Sequence, residues 1–513
     1  MLRRLMSILL SVLMIFCFSL TAFAEESADL PQVPSEDGIS TDGENSQPPV
    51  PPEGENGQLP APPDGGNGQP PAMPDGENGQ PPTPPDGAMT PPNGDQGGNG
   101  GFGGGTPPGG GTASFEYAAA TEITNAAEVA NETFASDSTD ESALMVNAGD
   151  AVTITGISVT KTGDSNGGDN CNFYGLNAAV LVMGGSSVTI SDSTIESSAS
   201  GANGIFCYGG NGGRNGAAGD GTTVTVSDTT ITTTSDGSGG IMTTGGGITY
   251  ANNLTVTTSG RSSAAIRTDR GGGTVIVDGG TYTTHGLGSP AVYSTADITV
   301  KNAILVSTLS EGVCIEGMNS VTLENCDLTA ENTQCNSNAT FLDTIMIYQS
   351  MSGDADSGTS SFTMTGGSLT SKSGHLFHVT NTHAVITLSD VQLINEGSDV
   401  LLSVCDDGWN GASNVAELVA DTQSLSGTIL VGGNSSLTLT LTNGSSFEGC
   451  ISGEIENARG ETVSTETGTV AVILDGSSTW TLTADTYITS FEGEAANVIG
   501  NGYTLYVNGE ALE

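Results

Sequence analysis

Short apolar segments separated by polar turns recur along the chain from residue 143 onward. Each begins with a small residue followed by an apolar one, and successive segments start 21 to 36 residues apart. The first seven read ALMV from Ala143, AVLV from Ala179, GIFC from Gly204, GIMT from Gly240, AIRT from Ala265, AVYS from Ala291 and GVCI from Gly312. Repetition at such a period is typical of solenoids, in which one unit cannot bury its apolar face alone.

A second strand follows most of these segments after a Gly or Ser turn, as in VTIS from Val188 and VTVS from Val224. Further units begin at Thr344, His375, Val400 and Thr428. The pattern therefore predicts an all-β solenoid of about eleven or more coils. We expect a helical cap over residues 125–132, because the open end of a strand stack needs protection from edge pairing.

The chain before the repeats divides into two segments by composition. Arg3 and Arg4, an apolar run over residues 5–18 and the small residues Ala22 and Ala24 predict a signal peptide over residues 1–24. Residues 25–112 are rich in Pro, Gly, Asn and acidic side chains, which predicts a disordered, acidic Pro/Gly-rich linker. We therefore expect an exported protein, secreted or displayed on the cell surface, with a repeat domain over residues 113–513.

Two stretches of the repeat domain, SSAAIRTDRGGGTVIVDGG from Ser262 and GSSTWTLTADTYITS from Gly476, are similar to sequences of a known group. They resemble the right-handed parallel β-helix of the pectin-lyase-like superfamily, and more narrowly the secreted, adhesin-like β-helix proteins of Gram-positive bacteria. The resemblance covers roughly residues 113–513 and implies that fold. It also implies surface display or contact with polysaccharide, without a settled chemical activity.

The charge of the chain limits its partners. The sequence has 58 acidic and 10 basic side chains, and removal of Arg3 and Arg4 leaves a net charge of 8 − 58 = −50. Nucleic acid is thereby excluded as a free partner, because phosphate binding depends on Lys and Arg. Clustered carboxylates make Ca²⁺ the one cofactor to consider. The candidate ligands are Asp164 with Asp169, Asp354 with Asp356, and Asp406 with Asp407.

Seven cysteines follow the signal peptide, an odd number, so at least one thiol is expected to stay unpaired. Cys207 falls on an inward position of the repeat, which predicts a small buried hydrophobic residue. Cys326 and Cys335 are the first candidates for a disulfide. No apolar run after residue 24 approaches the length of about 20 residues that a membrane-spanning helix needs, and we expect a monomer.

Strand alternation assigns the outward side chains of the repeats. One outward row contains Leu181, Phe206, Met242, Arg267, Tyr293, Cys314 and Met346, and a second, two positions later, contains Met183, Tyr208, Thr244, Asp269, Thr295, Glu316 and Tyr348. These rows are rich in aromatic and thioether groups, which predicts a binding surface for sugar rings if the strip is open. The alternative is that inserted loops at residues 211–221 and 350–359 cover the strip.

Basic residues concentrate on one rung of this strip, at Arg261, Arg267 and Arg270. They either pair with the neighbouring carboxylates Asp269 and Glu316 or bind an anionic ligand such as a uronate. Polysaccharide lyases of the resembled fold use an Arg base beside calcium-binding Asp residues. If the protein is an enzyme, the resemblance therefore implies Arg267, Asp269 and Glu316 as its catalytic residues.

Other candidate chemistry is weaker. Asp406 and Asp407 resemble part of a polygalacturonase motif, as does His285, but about five coils separate them. His378 and His383 are candidates for a metal pair beside His375.

Three hypotheses follow. The first is a surface β-helix protein that binds polysaccharide, or a host or matrix surface, without catalysis, through Phe206, Tyr208, Met242, Arg267, Asp269, Arg270, Tyr293, Glu316 and Tyr348. The second is a polysaccharide lyase or glycoside hydrolase that acts on uronate-containing glycans. The third is a structural component of the cell wall.

Overall fold

Parallel strands stacked coil upon coil make up the fold. A computed structural model describes residues 115–165, 167–212, 218–409 and 414–513. The predicted signal peptide and linker lie outside these residues. Thirteen parallel strands of the described chain form sheet A, one strand for each coil. They are Ala118–Ile123, Glu141–Val146, Val180–Val182, Ile205–Tyr208, Ile241–Thr244, Ile266–Thr268, Val292–Ser294, Val313–Glu316, Asp343–Tyr348, His375–Thr380, Val400–Val404, Thr428–Val431 and Ile451–Ser452. The prediction of a parallel β-helix with at least eleven coils is thus confirmed.

Sheet B completes each coil with the strands that follow sheet A in the chain, and it contains twenty strands of the described residues. They are Ala127–Ala130, Thr133–Ser136, Ala151–Thr155, Ser158–Lys161, Ser187–Ser191, Thr194–Ser197, Thr223–Ser227, Thr230–Thr233, Gly247–Thr258, Gly273–Thr284, Asp297–Lys301, Ile304–Ser307, Ser320–Ala330, Thr359–Ser371, His383–Ser389, Gln392–Asn395, Asn414–Asp421, Ser435–Thr442, Thr469–Leu474 and Ser490–Glu492.

Smaller elements close the C-terminal coils. A four-stranded sheet contains Ser424–Ser426, Ser446–Gly449, Thr479–Leu482 and Val498–Ile499, and an antiparallel pair contains Glu454–Glu456 and Thr462–Thr465. The terminal sheet consists of Thr486–Ile488, Leu505–Val507 and Glu510–Ala511. The helices described are an α-helix at Asn170–Tyr174 and a 3₁₀ turn at Ala495–Asn497.

The core lies between the sheets and is built from rows of identical or similar side chains. Ile205, Ile241 and Ile266 occupy one inward row of sheet A, in register on consecutive coils. Each is almost fully buried. Cys207 lies in the same core, as predicted, and Trp480 fills it near the C-terminal end. Because every coil stacks its apolar face on the next, burial is continuous along the repeat.

Polar residues at the corners satisfy the backbone between coils. At one corner Ser289 accepts a hydrogen bond from the N–H of Ser263 at 2.9 Å, and Ser263 accepts one from the N–H of Ser238 at 2.9 Å. At another corner Asn302 adopts a left-handed conformation with φ of 53° and donates to Asp278 of the preceding coil at 2.7 Å. Asn tolerates this conformation better than most residues, which explains the Asn and Asp turns of the sequence.

Two sequence predictions need correction. Residues 125–132 form no helix, because Ala127–Ala130 is a strand in register with residues 152–155 of sheet B. Cys326 and Cys335 form no disulfide, and all seven cysteines from Cys171 to Cys450 are free thiols. The Cys326 thiol is buried and contacts the carbonyl oxygen of Val300 at 3.3 Å. Within the described ranges, no helix has both the length and the apolar character to cross a membrane.

Candidate functional site

The outward row predicted from the sequence is in register in the structure. Strand pairing in sheet A aligns Leu181 with Phe206, Phe206 with Met242, and so on along the stack. Over the thirteen described strands the row is Glu122, Met145, Leu181, Phe206, Met242, Arg267, Tyr293, Cys314, Met346, His378, Ser403, Leu430 and Ser452. The alternation of the strands was therefore predicted correctly, and the remaining question is what covers the row.

The N-terminal part of the row is covered by the helix Asn170–Tyr174 and the residues after it. Phe206 and Met242 are buried in a small apolar cluster with Leu181 and Ala178. Thr244 holds the helix in place by donating a hydrogen bond to the carbonyl oxygen of Phe173 at 2.8 Å. Phe206 and Met242 are thus closed to a ligand here, which corrects the expectation of an open aromatic strip.

Gly175 shows how closely this cover approaches the sheet. It ends the helix with a φ of 77°, and a Cβ placed on it would lie 2.7 Å from a ring carbon of Phe206. Both the positive φ and the close approach favour glycine at this position. Tyr208 lies beside the cover, with its ring 5.8 Å from that of Tyr174, and it remains partly exposed.

The middle of the row forms a polar cluster, which we define as Arg267, Asp269, Tyr293, Glu316 and Tyr348. Arg267 forms a salt bridge with Asp269 at 2.5 Å and lies over the ring of Tyr293 at 5.1 Å. The Tyr293 hydroxyl donates to Glu316 at 2.5 Å, and the Tyr348 hydroxyl lies 3.3 Å from the same oxygen. The structure therefore brings together five of the nine predicted binding residues on four consecutive coils.

A loop over residues 349–358, the covering loop, lies on this cluster. Ser350 and Ser352 both donate hydrogen bonds to Glu316, the second at 3.2 Å. Asp354 forms a salt bridge with Arg270 at 2.5 Å. Arg270 in turn lies 4.0 Å from the ring centre of Phe173, a distance suited to a cation–π contact. The covering loop is thus held by hydroxyl and carboxylate groups and contributes Ala355 as a buried side chain.

Burial shifts the titration of the cluster. Removal from water raises the pKa of Asp269 to about 6, although the neighbouring Arg267 opposes this shift. Burial also raises the pKa of Glu316, against the hydrogen bonds from Ser350 and Tyr293. The pKa of Tyr293 and that of Tyr348 lie well above the usual value for the same reason. The hydroxyls of Tyr293 and Tyr348 therefore stay protonated near neutral pH.

At the C-terminal part of the row, the buried His378 lies close to His375, which is partly buried and lies earlier on the same strand, outside the row. His375 and His378 each place Nδ1 2.8 Å from the hydroxyl of Ser403. Nε2 of His378 faces Asp407 at 3.4 Å, and Phe341 stacks on its ring at 4.6 Å. The order Ser403, His378, Asp407 resembles a nucleophile relay. However, all three side chains are fully buried. The arrangement therefore holds the segments that contain Phe341 and Asp407 against sheet A.

Asp407 stabilises this arrangement through several hydrogen bonds. Its carboxylate accepts hydrogen bonds from the backbone N–H and the hydroxyl of Thr340, at 2.7 and 2.6 Å, and from the N–H of Gly408 at 2.6 Å. Burial alone would raise its pKa, but His378 and these donors outweigh that effect and hold the pKa below its usual value. Asp406 points elsewhere and accepts from Asn414 at 2.7 Å.

The residues predicted as metal ligands do not converge in the structure. His383 lies on sheet B, where it contacts Glu417 at 2.8 Å, so it does not pair with His378. Asp354 forms a salt bridge with Arg270 and does not form a joint site with Asp356. Asp406 and Asp407 accept hydrogen bonds from different partners. Among the residues that the structure describes, no three His, Cys, Asp or Glu side chains converge as a metal ion requires. His285, on the exposed surface, contacts Thr308 at 3.0 Å and lies apart from Asp407.

Sequence reasoning missed Ser350 and Ser352 as partners of Glu316, and it assigned Asp354 to calcium. A usable signal was present, because the covering loop follows the strand Asp343–Tyr348 directly and carries Ser, Gly and Asp residues. Strand register places such a loop next to the outward residues of its own coil. Opposite charges attract, so the simplest expectation was that an acidic residue of this loop, such as Asp354, pairs with an arginine of the basic rung.

No family model matches this chain, and no curated protein or solved structure matches it significantly.

Proposed function

We propose that this protein is an exported β-helix protein of the adhesin-like, pectin-lyase-like type, and that it binds polysaccharide at the polar cluster without cleaving it. The observation that carries the proposal is the way the covering loop engages the cluster. The hydroxyl groups of Ser350 and Ser352 in the loop bind Glu316, and the carboxylate of Asp354 binds Arg270. These are the two kinds of polar group that an acidic sugar presents, so the loop occupies the position of a ligand.

The polar cluster and the adjacent Arg270 provide the complementary groups for such a ligand. Arg270 offers a guanidinium that accommodates a carboxylate in bidentate fashion. Tyr293 and Tyr348 supply ring surface beside Glu316, which accepts hydrogen bonds from hydroxyls. Gly353 at the tip of the loop has a φ of 75° and no atom near its Cβ position. When a polysaccharide displaces the loop, its hydroxyl and carboxylate groups replace those of the loop on Glu316 and Arg270.

Catalysis by Arg267, Asp269 and Glu316 has less support. A lyase base must reach a proton on its substrate, whereas the Arg267 guanidinium is committed to Asp269 and its side chain is only 15 % exposed. Glycoside hydrolysis requires two carboxyl groups that face each other across the scissile bond. Glu316 instead faces Tyr293 of sheet A and Ser350 of the covering loop.

The test is affinity gel electrophoresis of the mature protein in polygalacturonate and in alginate, at about 0.15 M salt. At that ionic strength the screening length is about 8 Å, which suppresses the general repulsion between an acidic protein and a polyanion. Asp354→Ala releases Arg270 and is expected to increase the retardation severalfold. Arg270→Ala is expected to weaken it at least tenfold.

Lys301→Ala is the matched control, because Lys301 is also a basic residue in a salt bridge, with Glu324 on sheet B at 2.9 Å. Its removal should leave the retardation unchanged. The proposal is overturned if neither the wild type nor Asp354→Ala is retarded, or if Lys301→Ala weakens retardation as much as Arg270→Ala. Release of unsaturated, ultraviolet-absorbing products would overturn the non-catalytic part of the proposal.

A further inference from the structure

A pair of stacked tyrosines lies on the terminal sheet, away from the polar cluster. Tyr487 and Tyr506 are register partners on the strands Thr486–Ile488 and Leu505–Val507. Their rings are nearly parallel, with centres 4.6 Å apart and an interplanar angle of 7°. The neighbouring Ile488 and Leu505 point into the core, so alternation directs both tyrosines outward.

Tyr487 of this pair is exposed to solvent and Tyr506 is partly exposed, unlike Phe206 and Met242 on sheet A. The Tyr487 side chain is 55 % exposed, whereas Phe206 of the outward row is fully buried. Two further exposed apolar side chains, Ile499 and Tyr503, come from the segment that leads into the strand Leu505–Val507. Burial of an aromatic ring is a strong driving force, so a fold that leaves such rings exposed together marks an interaction surface.

The charge around the pair restricts its ligand. Residues 460–513 contain eight acidic side chains and no Lys, Arg or His. A phosphate, sulfate or uronate would find no cation here and would meet repulsion. A quaternary ammonium group is best held by aromatic faces that enclose it, whereas these two rings stack flat on one another. The outer, exposed ring face of Tyr487 in this acidic segment suits a neutral sugar, whose C–H face is apolar and whose hydroxyls donate hydrogen bonds.

We infer that Tyr487 and Tyr506 form a second carbohydrate site, selective for neutral polysaccharide, at the C-terminal end of the β-helix. It is distinct from the proposed acidic-glycan site in residues, in location and in the charge of its ligand. An exported protein with both sites would contact a mixed polysaccharide matrix at two points, which raises the overall affinity through effective concentration.

The experiment is affinity gel electrophoresis of the full mature chain in four neutral polymers, namely hydroxyethyl cellulose, xylan, galactomannan and glycol chitin in its N-acetylated form. At least one polymer is expected to retard the wild type. Tyr487→Ala should weaken that retardation at least tenfold, and Tyr487→Phe should retain it because the ring is preserved. Tyr250→Ala is the matched control, since Tyr250 is an exposed tyrosine, 40 % accessible, on sheet B.

Two outcomes would overturn this inference. One is that none of the four polymers retards the wild type, and the other is that Tyr487→Ala is retarded as strongly as the wild type while its circular dichroism shows a folded chain. Arg270→Ala separates the two sites, because it should leave binding to the neutral polymer unchanged. Failure of the acidic-glycan proposal would therefore be visible independently of this result.

Discussion

Asp354 forms a salt bridge with Arg270, which lies 84 residues earlier in the chain, at a distance of 2.5 Å. The contact joins the covering loop to the one basic rung of sheet A. Both side chains retain about a fifth of their exposure to water. The salt bridge therefore determines the position of the loop more than the stability of the protein, because ion pairs that reach solvent contribute about 0 to 1 kcal/mol.

Replacement of Asp354 by Asn should loosen the covering loop selectively. We expect faster hydrogen exchange in residues 350–356, and a free energy of unfolding within about 1 kcal/mol of the wild type. Exchange measured by mass spectrometry, together with chemical denaturation, checks both parts. Glu324→Gln, which removes the partner of Lys301, is the control and should leave exchange in the loop unaltered. Equal protection of the loop in Asp354→Asn and wild type would contradict the prediction.

Replacement of Phe206 by Ala should act on stability rather than on ligand contact. The side chain is fully buried between sheet A and its cover, so its loss leaves a cavity and removes apolar contacts. The expected decrease in the free energy of unfolding is about 3 to 5 kcal/mol. Urea denaturation measures it. A decrease below about 1 kcal/mol, similar to that expected of the exposed Tyr250→Ala, would mean that the cover does not pack on Phe206 in solution.

The register of sheet A was predictable from the sequence, because alternation in a strand has a fixed period of two. Leu181, Phe206 and Met242 accordingly occupy one row, as expected. What the period does not encode is the path of the irregular segments between strands. The helix Asn170–Tyr174 is only five residues long, and its packing depends on contacts with other coils, such as the bond from Thr244.

Two errors have equally specific reasons. The segment that contains Ala127–Ala130 has apolar residues at spacings that suit a short helix or a strand, and only pairing with residues 152–155 decides between them. His378 and His383 are close in the chain, yet a corner separates their strands. One therefore lies beneath the cover of sheet A, and the other lies on the surface of sheet B. Two residues that are close in sequence can therefore lie on different sheets when a corner of the coil separates them.

His375 should make stability depend on pH. Burial lowers its pKa from 6.5 to about 3, with a further contribution from His378. The unfolded chain thus binds a proton between pH 6.5 and about 3 that the folded chain does not bind. Stability contributed by neutral His375 is therefore lost as the pH falls through this range, by at most about 1.4 kcal/mol per pH unit.

Asp343, the register partner of His375, has a raised pKa and acts in the opposite direction, so the wild-type profile alone does not isolate the histidine. His375→Gln keeps a polar partner for Ser403 and removes the titration. We expect the difference in unfolding free energy between wild type and His375→Gln to favour the wild type less as the pH falls from 7 to 4. A difference that stays constant over this pH range for His375→Gln would contradict the prediction.

The seven cysteines from Cys171 to Cys450 should react with a thiol reagent in two classes. Five are buried, whereas Cys335 and Cys450 are partly exposed. In the native protein we expect these two to be labelled by a small disulfide reagent, Cys335 slowly because burial raises its pKa and so lowers its thiolate fraction. All seven should be labelled in denaturant, and mass spectrometry assigns the positions. Cys335→Ser should remove one native equivalent and leave Cys450 reactive. Fewer than seven labels in denaturant without reductant would contradict the assignment of seven free thiols.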